Sequence, residues 1–535
     1  MELIEQRIKK LMEECKTRAR NAGLSFGKET LEYIVTNRDL IRLSPKVMIP
    51  TLYDYWVNDV EVLKEEGKYK LYPSNPYETV INSSPAISFY NDNNPDWMNI
   101  MIFYHVLAHI DFFQNNILFQ NTWNDDFVGM ALADKRLIEN LRSEHGRWVD
   151  YILEFARSID NITGFYRELP KYDFPAEMEL TPKLKFYFNV FLQETLKLPQ
   201  HEFFSEIERY NSLQNGDTET AERIFFADVR LKHPEFETLF EKFDSNQVRY
   251  ADLLEYICDN SPFLKRKENS WMKSVMIIVR NTSLYFSPQM RSKIINEGWA
   301  SYWHDELFRQ DKGIEGHEVD YARLNAGVTS ISRIGLNPYA IGLRLIQYVE
   351  ELANKGKLDY LFQKNENAEF RENYNQNTGK GKNAIFELRK NFSDFMLINT
   401  FVDQDFVDKY DLFVVGQRLN EEKGTVEYYI KSRKGEDYKN MLIDSLYHPP
   451  VIEVDIEKTD ENNLYLVHRF ENKQLYKEFI PDTLLGIEYL WGDQVQLQTT
   501  EIVPENDYND DGSQKFRYEK VLYTMNDKKV TKIKI

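Results

Sequence analysis

The sequence predicts an α+β protein, in which a large, mainly α-helical N-terminal region precedes a smaller mixed α/β C-terminal module. Two observations support this fold class. Between about residues 98 and 310, apolar residues recur at spacings of three and four, as in amphipathic helices. After about residue 395, short runs rich in Val, Ile, Tyr and Phe are separated by turn residues, as in strands. We therefore predict domains at 1–394 and 395–535.

The helical region begins with an amphipathic stretch at 1–23, and residues 40–98 have the Pro, Tyr and Asn content of long loops with short helices. Ser287 and Pro288 predict a helix start, because Ser caps helices and Pro suits their first turn. Apolar spacing predicts helices at 98–120, 125–158, 182–198, 218–231, 249–259, 268–285, 288–309 and about 338–355.

The polar stretch 359–384 is typical of a long surface loop. Beyond it, the C-terminal module is predicted from short β-like runs interrupted by helices at 437–447 and 481–490. The runs are DLFVVGQRL, TVEYYIKS, PVIEVDIEK, NLYLVHRF, QLYKEFI, QVQLQTTEIV, KFRYEKVLYTM and KKVTKIKI. Their pattern does not define the order of the strands.

Charge and composition exclude several classes of protein. The net charge of -19 over 535 residues argues against a nucleic-acid binder, which needs clustered Lys and Arg, and against adhesion to anionic membranes. There is no run of 18 apolar residues, so no stable membrane insertion is expected. The two cysteines form no CxxC pair, and the N-terminus lacks the apolar core of a signal peptide. We expect a cytoplasmic protein.

Two of the nine histidines, His105 and His109, lie four residues apart in the apolar stretch HVLAHIDFF. On a helix this spacing places both imidazoles on one face, about 6 Å apart, and it allows one helix to offer two ligands to one ion. Asn116 lies on roughly the same face. Asp111 points nearly opposite, so we expect it to hold a neighbouring helix or to orient a group behind the ligands.

A second segment, NEGWASYWHDELF, begins at Asn296 and places Glu297 and His304 two helical turns apart, with Ser301 between them. If this helix packs against the first, His105, His109, Glu297 and His304 converge. Three imidazoles and a carboxylate suit zinc, or ferrous iron or manganese if open positions remain. A catalytic site would leave one position for water, and Glu297, if it is not a ligand, would act as the base.

A simpler interpretation remains open. One HxxxH arises easily by chance in a long chain, and buried histidines more often form hydrogen bonds in a core. The pattern also lacks the glutamate of HExxH zinc proteases. The sequence has no GxSxG, P-loop, GxGxxG or kinase signature set, which excludes the common hydrolase and nucleotide-binding classes.

Several segments, in order along roughly residues 50–500, resemble the SpoVR-like family, named after stage V sporulation protein R. They are YETVINSSP, HVLAHIDFFQNN, LLEYICDNSP, RNTSLYFSPQMRSKIINEGWASYWH, GLNPYAIGLRLI, GKGKNAIFELRKN, FVDQDFVDKYDLFVVGQR, HPPVIEV and LYLVHRFENKQLYKEFIPDTLLGIEYLWGDQVQLQT. The resemblance implies a bacterial, largely helical protein with a C-terminal α/β region.

The resemblance also implies a link to spore cortex or cell-envelope formation, or to a stress response. The family's His and Glu motifs map onto His105, His109, Asp111, Asn115, Asn116, Glu297 and His304. The chain departs from the family at Asn281 and Thr282, where members usually carry acidic residues, and this departure bears on catalysis more than on metal binding.

Two functional hypotheses follow. In the first, the helical domain binds one divalent metal, preferably zinc, and acts as a metal-dependent hydrolase on peptide or peptidoglycan bonds. In the second, the protein is a non-enzymatic scaffold or regulator that acts with protein partners, including the PrkA-type serine kinase that the resemblance implies. Its histidines would then form a buried polar network.

Overall fold

A computed structural model describes most of the chain. The described residues are 2–3, 6–27, 29–36, 79–119, 122, 127–160, 181–196, 206, 209–210, 212–213, 218–244, 252–332, 335–359, 362, 367–420, 424–446, 449–470, 473–508 and 514–535. Of the loop region predicted at 40–98, residues 40–78 lie outside the described residues.

The described residues form both helices and strands, which confirms the α+β class. The helices are α1 Gln6–Asn21, α2 Asp96–Asn115, α3 Phe127–His145, α4 Trp148–Arg157, α5 Pro182–Phe186, α6 Thr218–Lys232, α7 Phe236–Asp244, α8 Leu253–Asn260, α9 Ser270–Arg291, α10 Lys293–Phe308, α11 Glu318–Val328, α12 Pro338–Asn354, α13 Ala368–Asn373, α14 Gly381–Asn391, α15 Asp394–Phe401, α16 Gln404–Lys409, α17 Gly435–Ser445 and α18 Ile480–Trp491. The strands are β1 Glu2–Leu3, β2 Thr30–Val35, β3 Thr79–Ile81, β4 Ala86–Asn91, β5 Val414–Asn420, β6 Thr425–Ser432, β7 Ile452–Val454, β8 Asn463–His468, β9 Gln494–Tyr508, β10 Gln514–Asn526 and β11 Lys529–Lys534.

The chain divides into two compact units, and each is built from two separate segments. The first unit comprises Met1–Tyr151 and Asn281–His448, and the second comprises Ile152–Arg280 and Pro449–Ile535. The predicted division into 1–394 and 395–535 was based on the change from helical to β-like sequence patterns, whereas these units are defined by contacts. That division stays a prediction.

The first unit combines a small mixed sheet with a helical core. The sheet has the order β1-β2-β4-β3, with β2 and β4 parallel. Its helical core is centred on α10, which packs against both α2 and α12. Residues 101–113 of α2 are all buried, because this helix is apolar on every side and is covered by neighbours all round.

Two glycines allow α10 and α12 to approach backbone to backbone. A Cβ atom added to Gly298 would lie 2.3 Å from the carbonyl carbon of Gly342, and a Cβ atom on Gly342 would lie 2.0 Å from the carbonyl oxygen of Ile294. Such distances leave no room for any side chain at this crossing. This close approach fixes the backbone of α10 at Gly298, the residue that follows Glu297.

The sequence signal for the start of α10 was wrong. Ser287 and Pro288 lie inside α9, which continues to Arg291, and α10 begins at Lys293. Pro288 has no backbone N–H to donate, yet α9 continues through it to Arg291, and near the break the Ser292 hydroxyl donates to the Pro288 carbonyl at 2.7 Å. The break therefore falls five residues later than the pattern indicates.

A buried carboxylate caps the start of α10. The two oxygens of Asp394 accept hydrogen bonds from the backbone N–H groups of Ile294 at 2.9 Å and Ile295 at 2.8 Å. These N–H groups have no partner within their own helix, so the carboxylate satisfies them. Burial raises the pKa of Asp394 to about 7, although the backbone hydrogen bonds oppose this shift.

This cap predicts a pH-dependent contribution to stability. An unfolded Asp titrates near pH 3.9, so between about pH 4 and 7 the folded state binds more protons at Asp394. Its contribution is complete below that window and is lost as the pH rises through it, with a slope of at most about 1.4 kcal/mol per pH unit. We expect Asp394→Asn to be less stable than wild type at pH 4.5, with the gap narrowing towards pH 7.5. Denaturant unfolding at both pH values measures the gap, and a constant gap would refute this assignment.

The second unit has an aromatic core and a five-stranded sheet. Phe186, Tyr187, Phe191, Phe225 and Phe236 are buried together in this core. The sheet has the order β11-β10-β9-β8-β7, and β8 and β9 are parallel because α18 connects them and packs on β9.

The remaining helix and loop predictions had mixed outcomes. The predicted surface loop at 359–384 contains α13, and α14 begins at Gly381, so its described part is more helical than its polar composition indicates. The strands β2, β3 and β4 were not predicted. Among the described residues, no helix is both long and apolar enough to cross a membrane.

Candidate metal centre

His105 and His109 lie one turn apart on α2, as the spacing predicted. Their ring centroids are 4.7 Å apart, and both residues are 4% exposed. An imidazole pair buried in this way must have its ring nitrogens satisfied by specific partners. The partners come largely from α10, which packs directly on this face of α2.

Glu297 of α10 faces both imidazoles. Its Oε2 atom lies 3.5 Å from Nε2 of His109 and 3.8 Å from Nε2 of His105. One donor atom from each of the three residues lies within 4.8 Å of the other two. Two nitrogens and one carboxylate oxygen therefore surround a single point between the two helices.

Hydrogen bonds on the far sides of the rings determine which nitrogens face that point. His109 Nδ1 lies 2.8 Å from the side-chain oxygen of Asn296, so Nδ1 carries the proton and donates it. In a neutral ring Nε2 of His109 then has the lone pair, and it is the nitrogen that faces Glu297.

A longer hydrogen-bond chain orients His105 in the same sense. The Asn325 amide nitrogen donates to Asp305 at 3.2 Å, so its oxygen is the atom that accepts from Nε2 of His304 at 3.1 Å. His304 Nδ1 is then the acceptor, and Nδ1 of His105 donates to it at 2.8 Å. The lone pair of His105 is therefore also on Nε2, towards Glu297.

The charge at this point favours a cation. Burial alone would raise the pKa of the Glu297 carboxyl group, but hydrogen bonds and charge from His105 and His109, when these rings carry a proton towards the carboxylate, outweigh burial and lower that pKa to about 2. The buried Oε2 atom of Glu297 has no hydrogen-bond donor among the described residues. An ionised, buried carboxylate facing two imidazole lone pairs is stable only with a proton or a metal ion between them. The donor set suits a divalent ion with nitrogen and oxygen ligands.

His304 and Ser301 lie near this point, but neither is among the three residues whose donor atoms surround it. Both ring nitrogens of His304 lie within hydrogen-bonding distance of other side chains, His105 and Asn325, so its contact with the centre runs through His105. That His304 is a fourth ligand stays a prediction. Ser301 is fully buried one turn after Glu297, and its hydroxyl has no partner among the described residues.

Asp111 lies on the opposite side of α2 and joins several elements. One oxygen accepts from the Ser25 backbone N–H at 2.6 Å, and the other accepts from the Trp299 indole N–H at 2.9 Å and lies 3.5 Å from Nε of Arg389. Burial raises the pKa of Asp111 to about 6, although Arg389 opposes the shift. Asp111 therefore connects α2 to α10 and α14.

Asn116 was predicted on the ligand face. Its described hydrogen bonds instead go to the end of α14 and to Leu118. Its amide nitrogen donates to the carbonyl groups of Arg389 at 2.8 Å and Phe392 at 3.0 Å, where α14 ends. Its oxygen accepts from the Leu118 N–H at 3.0 Å. These bonds fix the end of α2, and a direct role of Asn116 in metal binding stays a prediction.

A cavity of about 370 Å³ opens beside His105 and His304. Its other walls are Met101 and Ile102 of α2, Leu324, Asn325 and Val328 of α11, and Asn337 and Tyr339 at the start of α12. Among the described residues, no Asp, Glu, Lys or Arg side chain lines it. The cavity therefore suits a small ligand or substrate group that carries no net charge.

Sequence reasoning missed Asn296 and Asn325. The position of Asn296 could have been predicted from the sequence. It immediately precedes Glu297, so its side chain lies about a quarter-turn away on the same helix, within reach of His109. Asn325 had no such signal. It is on a separate helix, and only the packing of α11 brings it to His304.

Comparison with known proteins gives one family and one curated relative. A family model described as "SpoVR like protein" matches residues 3–448. A protein of Escherichia coli (strain K12), named "Uncharacterized protein YcgB", is 24% identical over 333 residues, which are 60% of this chain and 59% of that protein. The chain thus spans less than two thirds of that relative's length. No solved structure matches.

Proposed function

Because this chain belongs to the SpoVR-like family, we propose that its first unit binds one divalent metal ion, preferably zinc, and uses it to hydrolyse peptide or peptidoglycan bonds. The ligands are Nε2 of His105, Nε2 of His109 and the carboxylate of Glu297. The observation that supports this proposal is the convergence of these three donor atoms within 4.8 Å, with the ring protons on the far sides.

Three protein ligands are the usual number in catalytic zinc sites, which leave a fourth position open. An ion bound there would lower the pKa of a water molecule and polarise a substrate carbonyl group. Other residues of this chain would support the ligands and the substrate. Asn296 and the pair His304–Asn325 orient the ligand rings, and such outer groups normally raise ligand basicity. The uncharged cavity beside His105 would bind the part of the substrate next to the scissile bond.

The hydrolase proposal is tested on the full chain, loaded with zinc or treated with a chelator, against peptides and peptidoglycan fragments. We expect hydrolysis only by the zinc-loaded protein. Glu297→Gln should lose at least about 100-fold in kcat/KM, because the amide is a poor metal ligand and carries no charge. The matched control is Glu315→Gln at an exposed glutamate, which should match wild type. Equal rates for Glu297→Gln and wild type would refute the role of Glu297.

The scaffold hypothesis also has one observation in its favour. His105, His304, Asn325, Asp305 and Tyr321 form a continuous hydrogen-bond network of buried and half-buried residues, with the Tyr321 hydroxyl donating to Asp305 at 2.5 Å. A satisfied network of this kind can specify packing without chemistry. A metal-free protein that co-purifies with a serine kinase, and whose binding survives Glu297→Gln, would favour this second function.

A further inference from the structure

The cavity beside the two imidazoles has amide groups in its walls, and their hydrogen bonds decide what it can bind. The amide nitrogen of Asn337 donates to the carbonyl groups of Val328 at 2.8 Å and Ser330 at 2.9 Å. Its oxygen accepts from two backbone N–H groups at the start of α12, at 3.1 Å and 3.4 Å. Both donors and both lone pairs of this side chain are therefore used within the protein.

The other amide and the imidazoles of the walls are also directed at protein partners. Asn325 uses its oxygen for His304 and its nitrogen for Asp305. The second ring nitrogen of His304 lies 2.8 Å from Nδ1 of His105, and Nε2 of His105 faces Glu297. These side chains therefore present carbon atoms and ring surface to the cavity rather than hydrogen-bonding atoms.

The remaining walls are mostly apolar, and the aliphatic and thioether side chains among them are Met101, Ile102, Leu324 and Val328. The last lining residue is Tyr339, whose ring centroid lies 6.1 Å from that of His105. A charged group that entered this cavity would lose its water without gaining an ion pair, which costs free energy. An apolar group would gain free energy, because its surface would leave water.

The volume of the cavity sets a size for the apolar group. An apolar cavity of roughly 150 Å³ is large enough to bind benzene. The present cavity has a volume of about 370 Å³, so it has room for a large side chain together with the atoms that join it to a backbone. A methyl group would leave most of this volume unfilled.

We propose that this cavity binds a large apolar side chain, phenylalanine or leucine, of a peptide substrate. The inference rests on the proposed metal-dependent hydrolysis and makes the cavity a determinant of its specificity. His105 is both a lining residue and a proposed metal ligand, so the bound side chain belongs to the residue next to the scissile bond. A peptidoglycan peptide made of alanine and charged residues would leave the cavity unfilled.

Binding of neutral amino-acid derivatives tests the cavity without any hydrolysis. The full chain is titrated with N-acetyl-phenylalanine amide, and separately with the alanine and lysine derivatives, while binding is followed by NMR. The phenylalanine derivative should bind at least about 10-fold more tightly than the other two, because only its side chain gains from burial in an apolar cavity. Equal affinities for the three derivatives would overturn the proposal.

Substitutions of Val328 test whether this cavity is the binding site. Val328→Asp places a carboxylate in the wall and should weaken binding of the phenylalanine derivative at least about 10-fold. Val328→Phe fills the cavity without adding charge and should weaken binding as well. The matched control is Val319→Asp on the same helix, α11, where the valine is 65% exposed. Circular dichroism identifies which variants are folded, and wild-type affinity in a folded Val328 variant would overturn the proposal.

Peptide hydrolysis separates this inference from the hydrolase proposal. Zinc-loaded protein is assayed on peptides that differ only in one residue next to the scissile bond. We expect kcat/KM to be at least about 10-fold higher for phenylalanine or leucine than for alanine, and Val328→Asp to remove the preference. Hydrolysis without any such preference would overturn the role of the cavity and leave the hydrolase standing. Selective binding of the phenylalanine derivative without hydrolysis of any peptide would support the cavity and refute the hydrolase.

Discussion

Replacing His109 with alanine is expected to weaken zinc binding by at least about 100-fold. Loss of a group that only orients a ligand typically costs 10- to 100-fold, and His109 is itself a proposed ligand whose Nε2 lies 3.5 Å from the Glu297 carboxylate. Asn296→Ala should fall in the smaller range, because Asn296 only orients that ring. Competition with a chromophoric chelator measures both affinities.

The matched control is His145→Ala, a histidine near the end of α3 that pairs with Glu144. It should bind zinc as wild type does. The proposed site would be wrong if His109→Ala, shown by circular dichroism to be folded, bound zinc as tightly as His145→Ala. An affinity lost equally in both variants would indicate non-specific binding to histidines.

Gly298→Ala is expected to destabilise the protein by at least about 3 kcal/mol. The added methyl group would lie 2.3 Å from the backbone of Gly342, and α10 and α12 can relieve the overlap only by moving apart. Overpacking of a core costs about 1–3 kcal/mol when side chains can adjust, and here the obstacle is rigid backbone. Because Glu297 is the adjacent residue, zinc affinity should fall as well.

Gly327→Ala is the matched control for this substitution. Gly327 lies within helix α11, and a Cβ atom there would meet nothing within 4 Å. Replacing such a glycine should be neutral or stabilise by about 0.4–1 kcal/mol, because alanine has less freedom in the unfolded chain. Urea unfolding compares the two variants. Similar midpoints for Gly298→Ala and Gly327→Ala would contradict the close crossing of α10 and α12.

Helical periodicity predicted much of the candidate site. His105 and His109 share a face because residues four apart on a helix must do so, and Glu297 faces them because α10 packs on that side of α2. The same argument removed Asp111 from the ligand face, and the structure places it in contact with Trp299 instead. These inferences needed only that each segment be helical.

Other features depend on packing that no local pattern encodes. Ser287 and Pro288 have the sequence of a helix start, but α9 runs through them and ends only at Arg291. The parallel pairing of β2 with β4 joins segments more than fifty residues apart, and each strand has only six residues. Asn325 reaches His304 from a different helix. Such contacts are set by tertiary structure.

The proposed metal centre requires that His105, His109 and Glu297 together bind one divalent ion. Elemental analysis of the purified full chain, after dialysis against metal-free buffer and titration with zinc, tests it most directly. Wild type should retain one equivalent of tightly bound zinc per chain. Glu297→Gln should retain less than one equivalent, and Glu315→Gln should match wild type. Wild-type protein that retains no zinc, iron or manganese at micromolar free metal, while remaining folded, would contradict it.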